Sequence, residues 1–234
     1  MASLGVREVP PLLRLVGHPL RWMLLTELAR SDRQVAELSN LLGIRQSLVS
    51  YHVGRLRSEG LVVARRSSRD ARQTFYRADL NRCGESLVTS ARALHPSLAP
   101  PRIHAGDDVS HDRVPLVLFL CTGNSARSQM AEGLLRVALP DRAEVASAGT
   151  RPAVLHPNAV RAMEARGIDI SRQTSKHLDT FGDRAFDVVV TVCDHVKEEC
   201  PDFGGPARRI HWSIPDPVSE GADAGSLPAF ERAA

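Results

Sequence analysis

The chain has 234 residues, 43% of them hydrophobic, and a formal net charge of +3, which is long enough for one large domain or two small ones with real cores. No apolar stretch approaches the roughly 18 residues needed to span a bilayer and the N-terminus carries no signal-peptide core, so an integral membrane protein is excluded and a cytoplasmic one is expected. Charge favours two domains: residues 1–92 hold 15 Arg, no Lys and 8 acidic residues, whereas the remainder is net acidic, so the front half is built to meet a polyanion. Of the four cysteines only Cys83 lies in that half. In a reducing compartment such thiols point to catalysis, regulation or metal binding rather than to structural staples.

In chain order, residues 20–29 place Leu20, Met23, Leu24, Leu25 and Leu28 at helical spacing, and Ser31-Asp32 breaks the pattern before residues 34–42 resume it up to Gly43. Residues 45–60 predict a second helix with Leu48, Val49, Val53 and Leu56 on one face and Gln46, Ser47, Ser50, Tyr51 and Arg57 elsewhere. Residues 61–66 and 73–77 read as two strands joined by the basic tip 67–72, which makes a winged helix-turn-helix over residues 1–97. Arg45, Gln46, Ser47, Ser50 and Tyr51 are the candidates to meet base edges and backbone, and Arg65, Arg66, Arg69 and Arg72 are the wing groups placed near phosphates or the minor groove. The bland reading is a winged helix used for protein contacts, its arginines a solvated surface. His52, a lone histidine amid apolar neighbours, is read as a packed core or capping residue, and Cys83 as structural.

Residues 47–63, Ser-Leu-Val-Ser-Tyr-His-Val-Gly-Arg-Leu-Arg-Ser-Glu-Gly-Leu-Val-Val, and the arginine-rich hairpin after them resemble the ArsR-type metalloregulatory repressors across residues 10–95. The resemblance implies a homodimer on palindromic operator DNA, with residues 12–16 and 86–94 supplying the dimer helices. The chain departs from the metalloid-sensing members, which carry a cysteine pair where it has Gln34-Val-Ala-Glu-Leu-Ser39.

Residues 98–113, rich in Pro, Asp and His and aperiodic, are expected to be a linker. An apolar run at 114–120 then reads as a buried strand, followed by Cys121-Thr-Gly-Asn-Ser-Ala-Arg-Ser128 and an amphipathic helix over 128–136. A loop at a strand-to-helix turn converges backbone N–H groups on a tetrahedral anion, so Thr122, Gly123, Asn124, Ser125, Ala126 and Ser128 are the candidate oxyanion-binding residues, with Arg127 as a bidentate clamp. The positive end of the helix and Arg127 favour a reactive Cys121 thiolate, with Ser128 as its hydrogen-bond donor. A bare Cys-x5-Arg is common by chance and an inert buried cysteine is the bland reading. Strand context, Gly123 and Ser128 make this match specific.

Strand-like runs at 144–149 and 185–192, a helix over 156–166 opened by Pro157 and closed by Gly167, and a further strand near 209–212 complete a doubly wound α/β domain over residues 114–234, with a four-stranded parallel sheet. Cys193 follows its third strand, and Cys200 stands seven residues on. Zinc sites space their cysteines more closely and in pairs, so no metal is expected and redox exchange fits better. On a helix that offset separates the two Cα atoms by about 10 Å, beyond the reach of a disulfide, so joining them requires local unwinding.

Residues 115–234 resemble the thioredoxin-coupled arsenate reductases, which share the fold of low-molecular-weight tyrosine phosphatases. The match rests on the 121–133 segment, Ser147-Ala-Gly149, Gly167-Ile-Asp-Ile-Ser171, Val190-Thr-Val-Cys193 with Cys200-Pro201, and His211-Trp212 with Asp216-Pro217. The resemblance implies that Cys121 attacks arsenate held by the loop and Arg127 while Asp216 protonates the leaving oxygen. It further implies that Cys193 attacks Cys121 to release arsenite, and that Cys200 resolves the resulting disulfide into one that thioredoxin reduces, with no bound cofactor. Potassium-binding members use Asn124, Glu132, Ser147 and an Asp; here the last position is Lys176, whose ammonium is expected to replace the cation. The chain stops at Ala234 where the family's final helix has just begun, which would leave apolar sheet surface uncovered. Two alternatives stay open: a tyrosine phosphatase fused to a regulator, and a non-catalytic sensor that passes an arsenic or redox signal to DNA. Gln129, where phosphatases usually carry Pro, and Val218-Ser219 after the Asp-Pro argue against the first.

Overall fold

In the front half, proline and capping residues set the helix starts. The computed structural model describes residues 9–95, 98, 114–182, 184–199 and 207–234, divided between two compact units built mainly on the front and rear halves of the chain. The linker expected at 98–113 falls, apart from Leu98, outside the described residues. Among the described residues no helix is long and apolar enough to cross a membrane.

Helices α1 (Pro11–Val16) and α2 (Pro19–Arg30) each open with proline, whose fixed φ suits the first helical position. Helix α3 (Val35–Leu42) begins where Glu37 reaches back to the Gln34 amide (2.9 Å) and ends at Gly43, whose φ of 64° is cheap only for glycine. Helix α4 (Gln46–Ser58) follows as the second helix of the helix-turn-helix. Strands β1 (Val62–Arg66) and β2 (Thr74–Ala78) form the antiparallel hairpin, and Asp79 caps α5 (Leu80–Leu94). Leu24, Leu38, Val49, Val53 and Leu56 form the centre of the core.

The apolar face of α4 differs from expectation at one position. Leu48 is 45% exposed, and His52, only 6% exposed, takes its place beside Val49, Val53 and Leu56. The buried spacing is therefore i, i+3, i+4, i+7, with Leu48 lying about 40° beyond the edge of that stripe. His52 packs its ring against His18 with centroids 4.5 Å apart. Cys83 is half-buried with its sulfur 3.8 Å from the Leu61 carbonyl, and burial, then Asp79, pushes its pKa up, as suits an inert thiol.

In the rear half, β3 (Leu116–Cys121) is buried along its whole length and lies between β4 (Glu144–Gly149) and β5 (Val188–Thr191), with β6 (Arg208–His211) outermost beyond β5. All three pairings are parallel. Helices α6 (Arg127–Ala138), α7 (Pro157–Glu164), α8 (Asp194–Glu199) and α9 (Leu227–Ala233) complete the domain, with α6 and α8 both packed on β3. The chain leaves β3 for β4 on one side and returns to β5 on the other, which makes the C-terminal end of β3 a topological switch point.

Helix α9 buries Ala229 and Phe230, and Phe230 stacks on His156 (centroids 4.4 Å apart, planes 24° apart) while packing among Ala159, Ala162 and Met163.

The His52 site carries a pH signature. Burial first, then the charges of His18 and Arg21, hold its pKa below the ordinary 6.5. A base with a depressed folded pKa leaves the unfolded chain binding more protons, so the stability it contributes is present above about pH 6.5 and is lost as pH falls toward the folded pKa. Urea unfolding of the front unit is expected to shift to lower midpoint between pH 7.5 and pH 5.5, and His52→Leu to flatten that dependence. A histidine that titrates like a free one would leave the two profiles parallel.

Candidate active site

The loop between β3 and α6 is shaped by where its carbonyl groups go. Thr122 O accepts from Arg151 N (2.9 Å), Gly123 O from Ala153 N (2.8 Å), Ser125 O from His156 N (2.9 Å), and Asn124 O from Ser175 Oγ (2.7 Å) and Gln129 Nε2 (3.1 Å). Four successive carbonyls are thus drawn outward by the segments that wrap the loop. In a trans peptide the N–H points opposite to the C=O, so the amides of Gly123, Asn124, Ser125 and Ala126 turn inward. One of them is seen to do so: Asn124 N–H donates to Cys121 Sγ (3.2 Å). Arg127, expected as the last loop residue before the helix, is instead the first residue of α6.

Asn124 is wholly buried and sits at φ 43°, a left-handed conformation that asparagine tolerates through local hydrogen bonding. Its Nδ2 donates to Ser128 Oγ (2.9 Å) and Ser147 Oγ (2.8 Å), and its Oδ1 accepts from Lys176 N (2.7 Å). Because Ser128 Oγ already accepts from Asn124, its own proton is free to point at Cys121 Sγ, 3.0 Å away. The sulfur therefore meets two donors, an arrangement that stabilises a thiolate. Farther out, Ser147 Oγ donates to the buried Glu132 carboxylate (2.6 Å), which pairs with Arg136 and lies 3.6 Å from Lys176 Nζ. The lysine thus stands as a cation beside Glu132, where the resemblance put a potassium ligand set. Among the described residues no cluster of three or more His, Cys, Asp or Glu could hold a metal ion.

The buried Arg127 guanidinium donates to Ile214 O (3.1 Å) and pairs with Asp216 Oδ2 (2.9 Å), so clamp and candidate acid are already in contact. Cys193, buried and reduced, sits just past β5 with its sulfur 3.2 Å from Thr122 Oγ1. The Thr122 hydroxyl thus links the second thiol to the residue next to the first. That contact spans 71 positions and leaves no trace in local sequence. Cys200 lies outside the described residues.

Residues 116–233 match the family model described as low molecular weight phosphotyrosine protein phosphatase. The chain belongs to this family. Within the phosphatase-fold half, an arsenate reductase of Halalkalibacterium halodurans is 45% identical over 118 residues, 50% of this chain and 85% of that protein. An arsenate reductase of Bacillus subtilis is 43% identical over 118 residues, with the same two coverages, 50% and 85%. A solved structure described as an arsenate reductase in oxidized state is 33% identical and covers 50% of this chain and 86% of that one, with a TM-score of 0.44.

In the front half, residues 18–73 match the model of the MarR family, where an ArsR-type repressor was expected. Arg45, which precedes α4, and Gln46, Ser47, Ser50 and Tyr51 in its first half are all exposed. Of the wing arginines, Arg66, Arg69 and Arg72 are exposed and Arg65 is half-buried. Arg72 is held by Asp70 through Nε to Oδ1 (3.0 Å) and Nη2 to Oδ2 (3.1 Å), so the tip carries its own counter-ion.

Gly149, at the end of β4, gives the cradle its most local test. A Cβ there would fall 2.5 Å from Thr122 O and 2.8 Å from Asn124 N, inside contact distance of the loop backbone. Gly149→Ala is expected to weaken binding of inorganic phosphate by at least about tenfold, since shifts of about an ångström misalign every donor at once. Calorimetric titration with phosphate, alongside unchanged front-unit unfolding, checks it; wild-type affinity would mean that the cradle is shaped elsewhere.

Proposed function

We propose that this chain is an arsenate reductase fused to a DNA-binding regulator, and that the rear half works by a relay of three thiols. The observation that carries this reading is Cys193 Sγ resting 3.2 Å from the hydroxyl of Thr122, beside Cys121. Phosphoester hydrolysis needs Cys121, Arg127 and Asp216 but has no use for a second thiol at that place. The curated relatives at 45% and 43% identity, both named arsenate reductase, support the same choice.

In the proposed reaction the inward amides, Ser128 and Arg127 hold the arsenate oxygens. The Cys121 thiolate attacks arsenic, and the displaced oxygen takes a proton from Asp216 and leaves as water. The Cys193 thiolate then attacks Cys121 Sγ. The S–As bond breaks with its electron pair kept by arsenic, which reduces arsenate to arsenite, whose oxygens take up the protons released by the thiols. Cys200 next attacks Cys193, Cys121 leaves as a thiolate, and a Cys193–Cys200 disulfide remains for an external dithiol protein of the thioredoxin kind to reduce. No bound cofactor enters the scheme.

The regulator reading places the exposed start of α4 against base edges and the wing against the DNA backbone. Dimerisation through α1 and α5 is supported by their exposed apolar residues Leu13, Leu87 and Leu94. An arsenic-responsive repressor of ArsR type on a palindromic operator, acting in a reducing cytoplasm, is the finer form of this reading, with 1–97 as regulator, 98–113 as linker and 114–234 as reductase.

With thioredoxin, its reductase and arsenate, NADPH oxidation is expected to fall by at least about a thousandfold in each of Cys121→Ser, Cys193→Ser and Cys200→Ser. Hydrolysis of an aryl phosphate should vanish only in the first. Arsenate-dependent turnover that survives loss of Cys193 would overturn the relay.

A further inference from the structure

A buried polar cluster behind the cradle joins the relay segment to the acid loop. Asp194 is the first residue of α8 and follows Cys193 directly. Its Oδ1 accepts from Ser213 Oγ (2.6 Å) and lies 3.2 Å from His211 Nε2. The other ring nitrogen, Nδ1, lies 2.9 Å from Thr191 Oγ1, at the end of β5 two residues ahead of Cys193. Asp194, His211 and Ser213 are all buried, where polar groups need hydrogen-bond partners and losing one is costly. Ser213 is in turn adjacent to Ile214, whose carbonyl holds Arg127, and stands three residues before Asp216.

We propose that Asp194, backed by His211, is a positioning residue shared by both chemical steps. It fixes the first turn of α8 and so the line of attack of Cys193, and through Ser213 it fixes the 212–216 loop, and so the place from which Asp216 delivers its proton. It touches neither the anion nor the reacting sulfurs. The thiol-transfer arm rests on the reductase reading; the acid-loop arm needs only an anion bound in the cradle. The chemistry explains why one anchor serves both. Sulfur attack requires the incoming thiolate to lie in line behind the S–As bond, and proton delivery requires hydrogen-bond reach of the leaving oxygen, and both degrade steeply over about an ångström.

The test uses the full-length protein, Asp194→Ala and Asp194→Asn, with three readouts: phosphate affinity by calorimetry, arsenate-driven loss of free thiols without external reductant, and the rate ratio between an activated aryl phosphate and an alkyl phosphate. In Asp194→Ala, thiol loss should slow by at least about tenfold and the alkyl substrate should fall by at least about tenfold relative to the aryl one, because only the poor leaving group needs the acid. Phosphate affinity should stay within about twofold, since the inward amides are held by other residues. Asp194→Asn should restore the substrate ratio, its Oδ1 still accepting from Ser213. If Asp194→Ala does not fold, His211→Asn is expected to slow thiol loss in the same direction with phosphate affinity kept. Wild-type values for both rates, or a parallel loss of phosphate affinity that reveals general disruption, would overturn the proposal. Absence of arsenate-driven thiol loss in the unmutated chain, with the leaving-group effect of Asp194→Ala intact, would instead remove the reductase reading and leave the acid-loop anchor standing.

Discussion

The rear half is organised around Asn124 in a conformation its backbone would not choose. A left-handed residue other than glycine costs on the order of 1 kcal/mol or more. Here that cost is met by a side chain wholly buried and bonded at both ends, to Ser128 and Ser147 through Nδ2 and to the Lys176 amide through Oδ1. The twist at Asn124 lets neighbouring peptides all turn their carbonyls outward, where residues 151–156 and 175 receive them. In the proposed reading these inward amides are an anion site preorganised at folding, which leaves little reorganisation for binding. The cradle's electrostatics are thus a consequence of backbone geometry, with Arg127 added to them.

Topology then decides which groups can meet that site. Cys121 closes β3 and Cys193 follows β5, the strand beside it. Parallel neighbours end on the same side of a sheet, so two thiols far apart in the chain are delivered to one rim without any special loop. The switch point keeps the space above β3 open, because the chain departs to β4 on one side and returns to β5 on the other. Thr122 spans the remaining gap with its hydroxyl, and Asp194 ties the same rim to the loop of Asp216.

What could be read beforehand follows from the range of each interaction. The strand, loop and helix around Cys121 were legible because hydrophobic run, glycine turn and amphipathic period are local signals, and Gly43 and Gly167 marked helix ends for the same reason. That Leu48 lies outside the stripe was not legible, because hydrophobicity alone does not show that a histidine, His52, completes the buried i, i+3, i+4, i+7 set with Val49, Val53 and Leu56. The Thr122 contact and the Asp194, His211 and Ser213 cluster were invisible, since hydroxyls and single carboxylates acquire meaning only when strands align in space. Asp70 pairs with Arg72 two residues on, so the tip offers less charge than its arginines alone suggest. In the front half residues 18–73 match the MarR family model where an ArsR type was expected, since a helix-turn-helix followed by a basic hairpin does not by itself single out one family.

The cradle by itself cannot separate arsenate from phosphate. Both are tetrahedral oxyanions of the same charge, and inward amides with a guanidinium read shape and charge alone. Discrimination on the proposed pathway falls to the second step. A thiolate attacking Cys121 Sγ needs a leaving group able to keep the bonding pair, and arsenic, with an accessible lower oxidation state, accepts it where phosphorus does not. A phosphoryl adduct on Cys121 would have to be cleared by water attacking phosphorus, while the arsenyl adduct is cleared by Cys193 attacking sulfur. On the proposed pathway selectivity resides less in the binding site than in a second thiol delivered to the same rim as the first by the parallel ends of β3 and β5.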